Sequence, residues 1–232
     1  MNIYILTSDK LCNQTMTLMS YIYKKFWPEA NVIVLGYNTP EWQSDNIKFI
    51  SLGEDLGTDT VCKQLYDFFN SIGDDYFIFE VDDKPIVNIV DNTVIDYLED
   101  LIKMNNDIGR IGLTNDNSTR PQHPQTTSTD INNTTYTLFE NTPQALYRLS
   151  STMSIWNKEF FLKYLTSYDN LWQWECSNTN DKYRVVGISP APIDFTHIYK
   201  KGKLRSDWYK SPHTGTTHTP DNQRFIRDVY GF

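Results

Sequence analysis

Residues 76–83 read Tyr-Phe-Ile-Phe-Glu-Val-Asp-Asp, four apolar or aromatic side chains running into three carboxylates. Successive side chains of a strand point to opposite faces, so a run with no polar member is buried on both. That requires a sheet covered by helices on each side. The neighbouring sequence supplies both kinds of element. Ile3–Leu6, Val32–Leu35 (closed by Gly36), Phe49–Leu52 and Ile108–Leu113 are further short strand-like runs. Between them, Met16, Met19, Ile22, Tyr23 and Phe26 recur at helical spacing until Trp27-Pro28 stops them. Val61, Leu65, Phe68 and Phe69 make a second stripe ending at Gly73, and Val94, Ile95, Leu98, Leu101 and Ile102 a third. The alternation predicts an α/β fold with a mixed, mainly parallel sheet flanked by helices. Ligands of such sheets sit at the carboxyl ends of the strands. Thr7-Ser8-Asp9 and the acids Glu80, Asp82 and Asp83 fall there.

At 232 residues the chain suits a single domain over 1–232, with halves at about 1–113 and 114–232. A net charge of −8 argues against nucleic acid as a partner, which normally meets a basic face. No run approaches the roughly 18–20 apolar residues of a spanning helix. The N-terminus lacks the basic start and cleavage site of a signal peptide and reads as a first strand, so a soluble, cytoplasmic protein is expected. Cys12, Cys62 and Cys176 are far apart, without zinc-ligand spacing, and suit a reducing compartment. The oligomeric state is not legible. Aromatic residues reach 14%, which suits a protein that handles sugar rings, though aromatics also fill cores.

The second half has a different texture. Thr114 to Thr135 is polar and aperiodic, an expected exposed loop that is either part of a substrate lid or a plain surface insertion. Thr135–Phe139, Ala145–Ser150 and Tyr183–Ile188 look like strands, and Lys158–Leu165 like a helix. Trp172-Gln173-Trp174-Glu175 forms an aromatic knot, and the tail carries scattered Pro, His and basic residues.

Charges at the end of an apolar strand are costly unless a cation pairs with them. A hard divalent ion, Mn²⁺ or Mg²⁺, prefers oxygen ligands and shares coordination with diphosphate oxygens. Glu80, Asp82 and Asp83 are therefore candidate metal ligands. A solvated acidic turn is the competing reading.

The strand followed by Glu80-x-Asp82-Asp83 resembles, in degenerate form, the DxD motif of GT-A glycosyltransferases. Tyr147-Arg148-Leu149-Ser150, Ser154-Ile155-Trp156-Asn157 with the helix after it, and Leu171-Trp172-Gln173-Trp174-Glu175 resemble a pattern in bacterial, phage and large-virus surface-glycan transferases. Lys200-Lys201-Gly202-Lys203 sits where that group carries a basic-Gly-basic element. The resemblance implies a GT-A-like (Rossmann-like) fold with a nucleotide-sugar-binding half and an acceptor half. It also implies a nucleotide-sugar donor, a glycan acceptor and metal-dependent sugar transfer.

Within that frame Asp83 is expected at the catalytic metal. Glu175 is a candidate base for the acceptor hydroxyl, since neighbouring tryptophans favour a raised carboxyl pKa; a plain helix Glu is the alternative. Thr7, Ser8 and Asp9 suit hydrogen bonds to the nucleotide, with Asp82 beside them, or they cap the helix that follows. Arg148, Lys201, Lys203 and Arg205 are candidate diphosphate contacts, or solvated charges. His197 is a candidate late metal ligand ahead of His213 and His218, whose Thr-rich surroundings read as a flexible tail; a structural histidine is the competing and stronger reading. An inverting enzyme, a retaining one and a non-catalytic glycan- or nucleotide-binding module all remain open.

Overall fold

The computed structural model describes residues 1–41, 44–177, 179, 182–200 and 203–231. The chain forms two compact units, each gathered from separated stretches. A terminal unit comprises Asn2–Gly53, Glu80–Val90 and Ile193–Phe232; a central unit comprises Met1, Glu54–Phe79 and Asp91–Pro192.

In the terminal unit, β1 (Asn2–Leu6), β2 (Asn31–Gly36) and β3 (Ile47–Ser51) lie parallel, with Ile3 opposite Val32 and Val32 opposite Ile47. The crossover from β1 to β2 is α1 (Cys12–Phe26), whose apolar stripe of Met16, Met19, Ile22 and Tyr23 is almost wholly buried. Late in the chain come the short pair β10 (Tyr199–Lys200) and β11 (Lys203–Leu204), and then α6 (Pro220–Tyr230). That last helix docks on α1 through stacked rings of Tyr21 and Phe225, 4.1 Å between centroids, and a 2.9 Å bond from Tyr21 Oη to Asn222 Oδ1.

The central unit holds α2 (Val61–Ser71), most of β4 (Tyr76–Val81), α3 (Asn92–Met104) and β5 (Ile108–Gly112). β6 (Gln122–Ile131), β7 (Thr134–Asn141), β8 (Ser154–Asn157), α4 (Lys158–Leu165), α5 (Leu171–Glu175) and β9 (Arg184–Ser189) complete it. Its strands run in the order β4-β8-β5-β9-β7-β6. Phe69, Phe77, Phe79, Phe161, Trp156 and Trp174 form one aromatic core, with the rings of Phe69 and Phe77 stacked at 4.2 Å. Gly109 and Gly187 are small because Phe160 and Phe139 lie where a Cβ would stand, at 2.5 and 2.3 Å.

The α/β class, a mixed sheet flanked by helices, matches the sequence expectation. Parallel pairing joins β1 to β2, β2 to β3 and β5 to β9, whereas β8 and β7 pair antiparallel with their neighbours. Three local expectations need correction. The polar stretch after Thr114 is mostly strand: β6 returns along β7 through Asn132-Asn133, both at positive φ (49° and 61°), the two-residue hairpin turn that asparagine tolerates. Residues 145–150 make a turn rather than a strand, since Tyr147 adopts φ 59° and Leu146 is exposed. The tail is not a flexible end. Thr219 caps α6, Pro220 opens it, and Gly231 closes it at φ 72°.

Candidate active site

The chain leaves β1 at Leu6, whose carbonyl accepts the amide of Asp82 at 3.1 Å, and Thr7 N still bonds Leu35 O at 2.8 Å. The carboxyl ends of β1 and β2 and the acidic turn are thereby held side by side in the terminal unit. Thr7 Oγ1 and Thr15 Oγ1, the second from the first turn of α1, both donate to Asp82 Oδ2, at 2.5 and 2.7 Å. Burial pushes the Asp82 carboxyl up to about 6, against the two threonine bonds that favour its charged form.

Glu80 is 1% exposed and accepts the Tyr23 hydroxyl at 2.8 Å. Burial raises its pKa to about 8, against the opposing pull of the Tyr23 bond and the Lys84 charge, so it is mostly protonated at neutral pH. Asp83 is half-buried. Among the described residues its Oδ1 has no hydrogen-bond partner, although Lys84 Nζ lies 3.8 Å away. The turn's backbone is fixed by Ile198 N to Asp83 O (3.0 Å) and Thr196 N to Pro85 O (3.1 Å). Two phenols that sequence reasoning missed also sense the Asp82 charge. Tyr199 and Tyr230 have rings 5.7 Å apart, and both pKa values are raised, first by burial and then by the charge of Asp82.

The expected ligand set of Glu80, Asp82, Asp83 and His197 does not converge. Among the described residues no three His, Cys, Asp or Glu side chains form a metal-holding group. Glu80 turns into the core toward Tyr23, and His197 lies against the Phe195 ring at 5.0 Å. What remains is Asp82 and the unbonded Oδ1 of Asp83. Such a set does not fit an all-protein cage. It does fit a hard divalent ion that draws its other oxygens from water and phosphates.

Thr7, Ser8 and Asp9 do not cap α1, whose first turn has no side-chain cap. Thr7 is buried on Asp82, whereas Ser8 is exposed. Asp9 Oδ1 accepts the amide of Asn38 at 2.8 Å, tying together the loops that follow β1 and β2.

In the central unit Glu175 closes α5, and its Oε1 accepts the amide of Ser151 at 2.6 Å. Arg110 is fully buried opposite Trp156, its guanidinium 5.2 Å from that ring, and Nε donates to Ser154 Oγ at 2.9 Å. Its pKa falls to about 9, first through burial and then through Arg120, while Asp116 and Glu175 oppose the fall. Arg120 pairs with Asp116 and with the carbonyl of Tyr147, over whose ring it lies at 5.4 Å. Tyr147 in turn bonds Cys176, which holds its phenol pKa above the usual range. Arg148, a predicted diphosphate contact, is 1% exposed and donates Nη2 to Tyr183 O at 2.7 Å.

No family model and no curated protein matches this chain. Solved structures do. S. aureus TarS 1-349 in complex with UDP-GlcNAc is similar at 16% identity and a TM-score of 0.48, covering 99% of this chain and 65% of that one. CMP:2-keto-3-deoxy-manno-octonic acid synthetase complexed with CTP is similar at 13% identity and a TM-score of 0.43, covering 74% and 80%. A cytidylyltransferase from Leptospira borgpetersenii serovar Hardjo-bovis is similar at 13% identity and a TM-score of 0.41, covering 75% and 67%. This chain thus spans just under two thirds of the TarS chain.

The remaining cations are less committed to the acidic turn. Lys201 lies outside the described residues, and Lys203 is exposed on β11. Arg205 grips Asp207 through two bonds of 2.9 and 2.8 Å. His218 is 1% exposed, with Nε2 3.0 Å from Thr196 Oγ1, and burial lowers its pKa to about 4. It is a core residue. Among the described residues no helix is long and apolar enough to cross a membrane.

Proposed function

We propose that the chain is a glycosyltransferase of the GT-A type, moving a sugar from a nucleotide-sugar donor to a glycan acceptor with inversion. The observation that carries this reading is the acidic turn at the carboxyl end of parallel strands. Asp82 is fixed by two threonine hydroxyls at 2.5 and 2.7 Å, and Asp83 keeps a buried oxygen with no hydrogen-bond partner among the described residues. A site of that kind suits a metal-bound diphosphate at a strand end.

Asp83, with Asp82 beside it, would hold Mn²⁺ or Mg²⁺ together with the donor diphosphate, and the ion would offset charge on the departing nucleoside diphosphate. The exposed loop of Ser8 and Asp9 is assigned to the nucleoside. Glu175 would take the proton from the acceptor hydroxyl as that oxygen bonds to the anomeric carbon and the bond to phosphate breaks. One carboxylate oxygen of Glu175 is anchored on Ser151 N, which fixes the group while its second oxygen serves the proton.

The test is a melting-temperature panel of UDP-, GDP-, dTDP- and CMP-sugars with and without Mn²⁺, on the wild type and on Asp83→Ala. A metal-dependent rise with one nucleotide family, absent in the variant, supports the donor site. No rise with any nucleotide sugar overturns it. The second reading is a binding module without catalysis, which needs no three-ligand group such as is lacking among the described residues. It predicts nucleotide binding that survives Asp83→Ala, with no sugar transferred.

A further inference from the structure

The acidic turn contains its own cation. The Lys84 side chain is only 9% exposed, and Nζ stands 3.8 Å from Asp83 Oδ1, the carboxylate oxygen with no hydrogen-bond partner among the described residues. Its charge is also felt at Glu80. A lysine side chain so far from solvent and set beside a carboxylate is a fixed element of the cluster. The backbone around it has little freedom, since both Asp83 O and Pro85 O accept amides from the 196–198 segment. A divalent ion approaching Asp83 therefore meets a resident positive charge at the very oxygen it would use. Like charges at that separation repel strongly where water is scarce.

We infer that Lys84 is a built-in counter-cation that prevents the acidic turn from holding a divalent ion alone, so that the ion binds only together with a diphosphate. The inference rests on the donor-site reading above and adds to it an order of binding and a residue that sets it. When a diphosphate arrives, its negative charges outweigh the single lysine, and the ion gains both attraction and oxygen ligands. Lys84 is a positioning residue in this scheme, acting through Asp83 rather than on the sugar. In its resting state the site would avoid the two costs of an unpaired buried carboxylate and a permanently bound metal.

The experiment measures Mn²⁺ bound to the full chain by equilibrium dialysis, with Mn²⁺ alone and with inorganic pyrophosphate at equal concentration on both sides. Wild type should bind Mn²⁺ weakly alone and at least about tenfold more tightly with pyrophosphate, since a tenfold change corresponds to only a modest fraction of a close charge–charge interaction. Lys84→Met fills a similar volume without charge and should bind Mn²⁺ alone at least about tenfold more tightly than wild type. Lys84→Arg should behave as wild type. Equal Mn²⁺ affinity of Lys84→Met and wild type overturns the inference. So does a wild type that binds the ion as tightly without pyrophosphate as with it, a comparison that stands even if Lys84→Met does not fold. Failure of the transferase reading appears elsewhere, as a wild type whose melting temperature responds to no nucleotide sugar.

Discussion

At the acidic turn, Asp82 is surrounded by neutral donors, the hydroxyls of Thr7 and Thr15, while Lys84 faces Asp83 from 3.8 Å. Around Glu175 the balance is reversed: Arg110, Arg120 and Arg148 are set against Asp116 and Glu175, and each carboxylate lies close to a guanidinium or a backbone amide. Hydroxyls fix a carboxylate without neutralising it, whereas guanidiniums do both. The first region keeps a charged carboxylate on hydroxyls and is suited to a cation that arrives with a diphosphate; the second is internally compensated. Arg148 illustrates the consequence. Read from sequence as a diphosphate contact, it is a buried strut whose guanidinium holds the carbonyl of Tyr183.

The comparison breaks first at Glu175. If that carboxylate is the base, Glu175→Gln should lower turnover by about 10²–10⁴ with little change in melting temperature. The amide oxygen can still accept from Ser151 N, so the clamp survives while the proton acceptor is lost. A Gln variant with wild-type turnover would reduce Glu175 to a member of the structural charge cluster. At the other region, Asp82→Asn should cost about 10²–10³ in turnover, the scale of losing one preorganised electrostatic group. It should also leave stability unchanged or raised, because a buried amide costs less than a buried carboxylate. Circular dichroism melts beside a sugar-transfer assay check both variants.

Acid sensitivity sharpens the contrast, because the buried groups of the terminal unit respond to pH in opposite senses. Asp82 has a folded pKa of about 6, above its ordinary 3.8, so protonation on acidification favours the folded state. His218 has a folded pKa of about 4, below its ordinary 6.5. Between those values the unfolded chain binds more protons at this histidine, so stability falls as pH drops. His218's contribution is fully present above pH 6.5 and gone below about 4, a difference of roughly 3 kcal/mol. His218→Gln removes that titration. Its loss of melting temperature between pH 7 and about 4 should be roughly 5–10 °C smaller than the wild type's. Identical slopes would mean that other groups govern acid unfolding.

How much of this was legible depended on whether a residue's partners are close in sequence. β4 and its acids were visible because four apolar residues and three carboxylates are contiguous, and α4 because an apolar stripe begins directly after Asn157, which caps it. β8 is only four residues long and runs straight into α4, so no period could develop. β6 is almost entirely polar and exposed, and the signal that announces it is the Asn132-Asn133 turn rather than its own pattern. Thr219-Pro220 and Gly231 likewise bracketed α6, but its apolar stripe is sparse. At the site, the split of Glu80, Asp82 and Asp83 into core, hydroxyl-bound and lysine-paired carboxylates was not legible. The deciding partners, Tyr23, Thr7 and Thr15, lie 57, 75 and 67 residues away.

The smallest predicted effect addresses those long-range partners most directly. Thr15→Val keeps the shape of the side chain and removes one of the two hydroxyls on Asp82 Oδ2, together with the bond between Thr15 and Tyr230. The expected loss is about 1 kcal/mol of stability, the net scale of a buried hydrogen bond, and at most about tenfold in turnover. Thr17→Val is the control from the same helix, since Thr17 Oγ1 bonds only locally, to Asn13 O at 2.8 Å. A turnover deficit in Thr15→Val beyond that of Thr17→Val would tie the deficit to Asp82 rather than to helix propensity. Equal behaviour of the two variants would mean that Thr7 alone suffices to position Asp82. The hydroxyl cage would then reduce to a single bond from the end of β1, and the contrast with the Glu175 region would rest on Thr7.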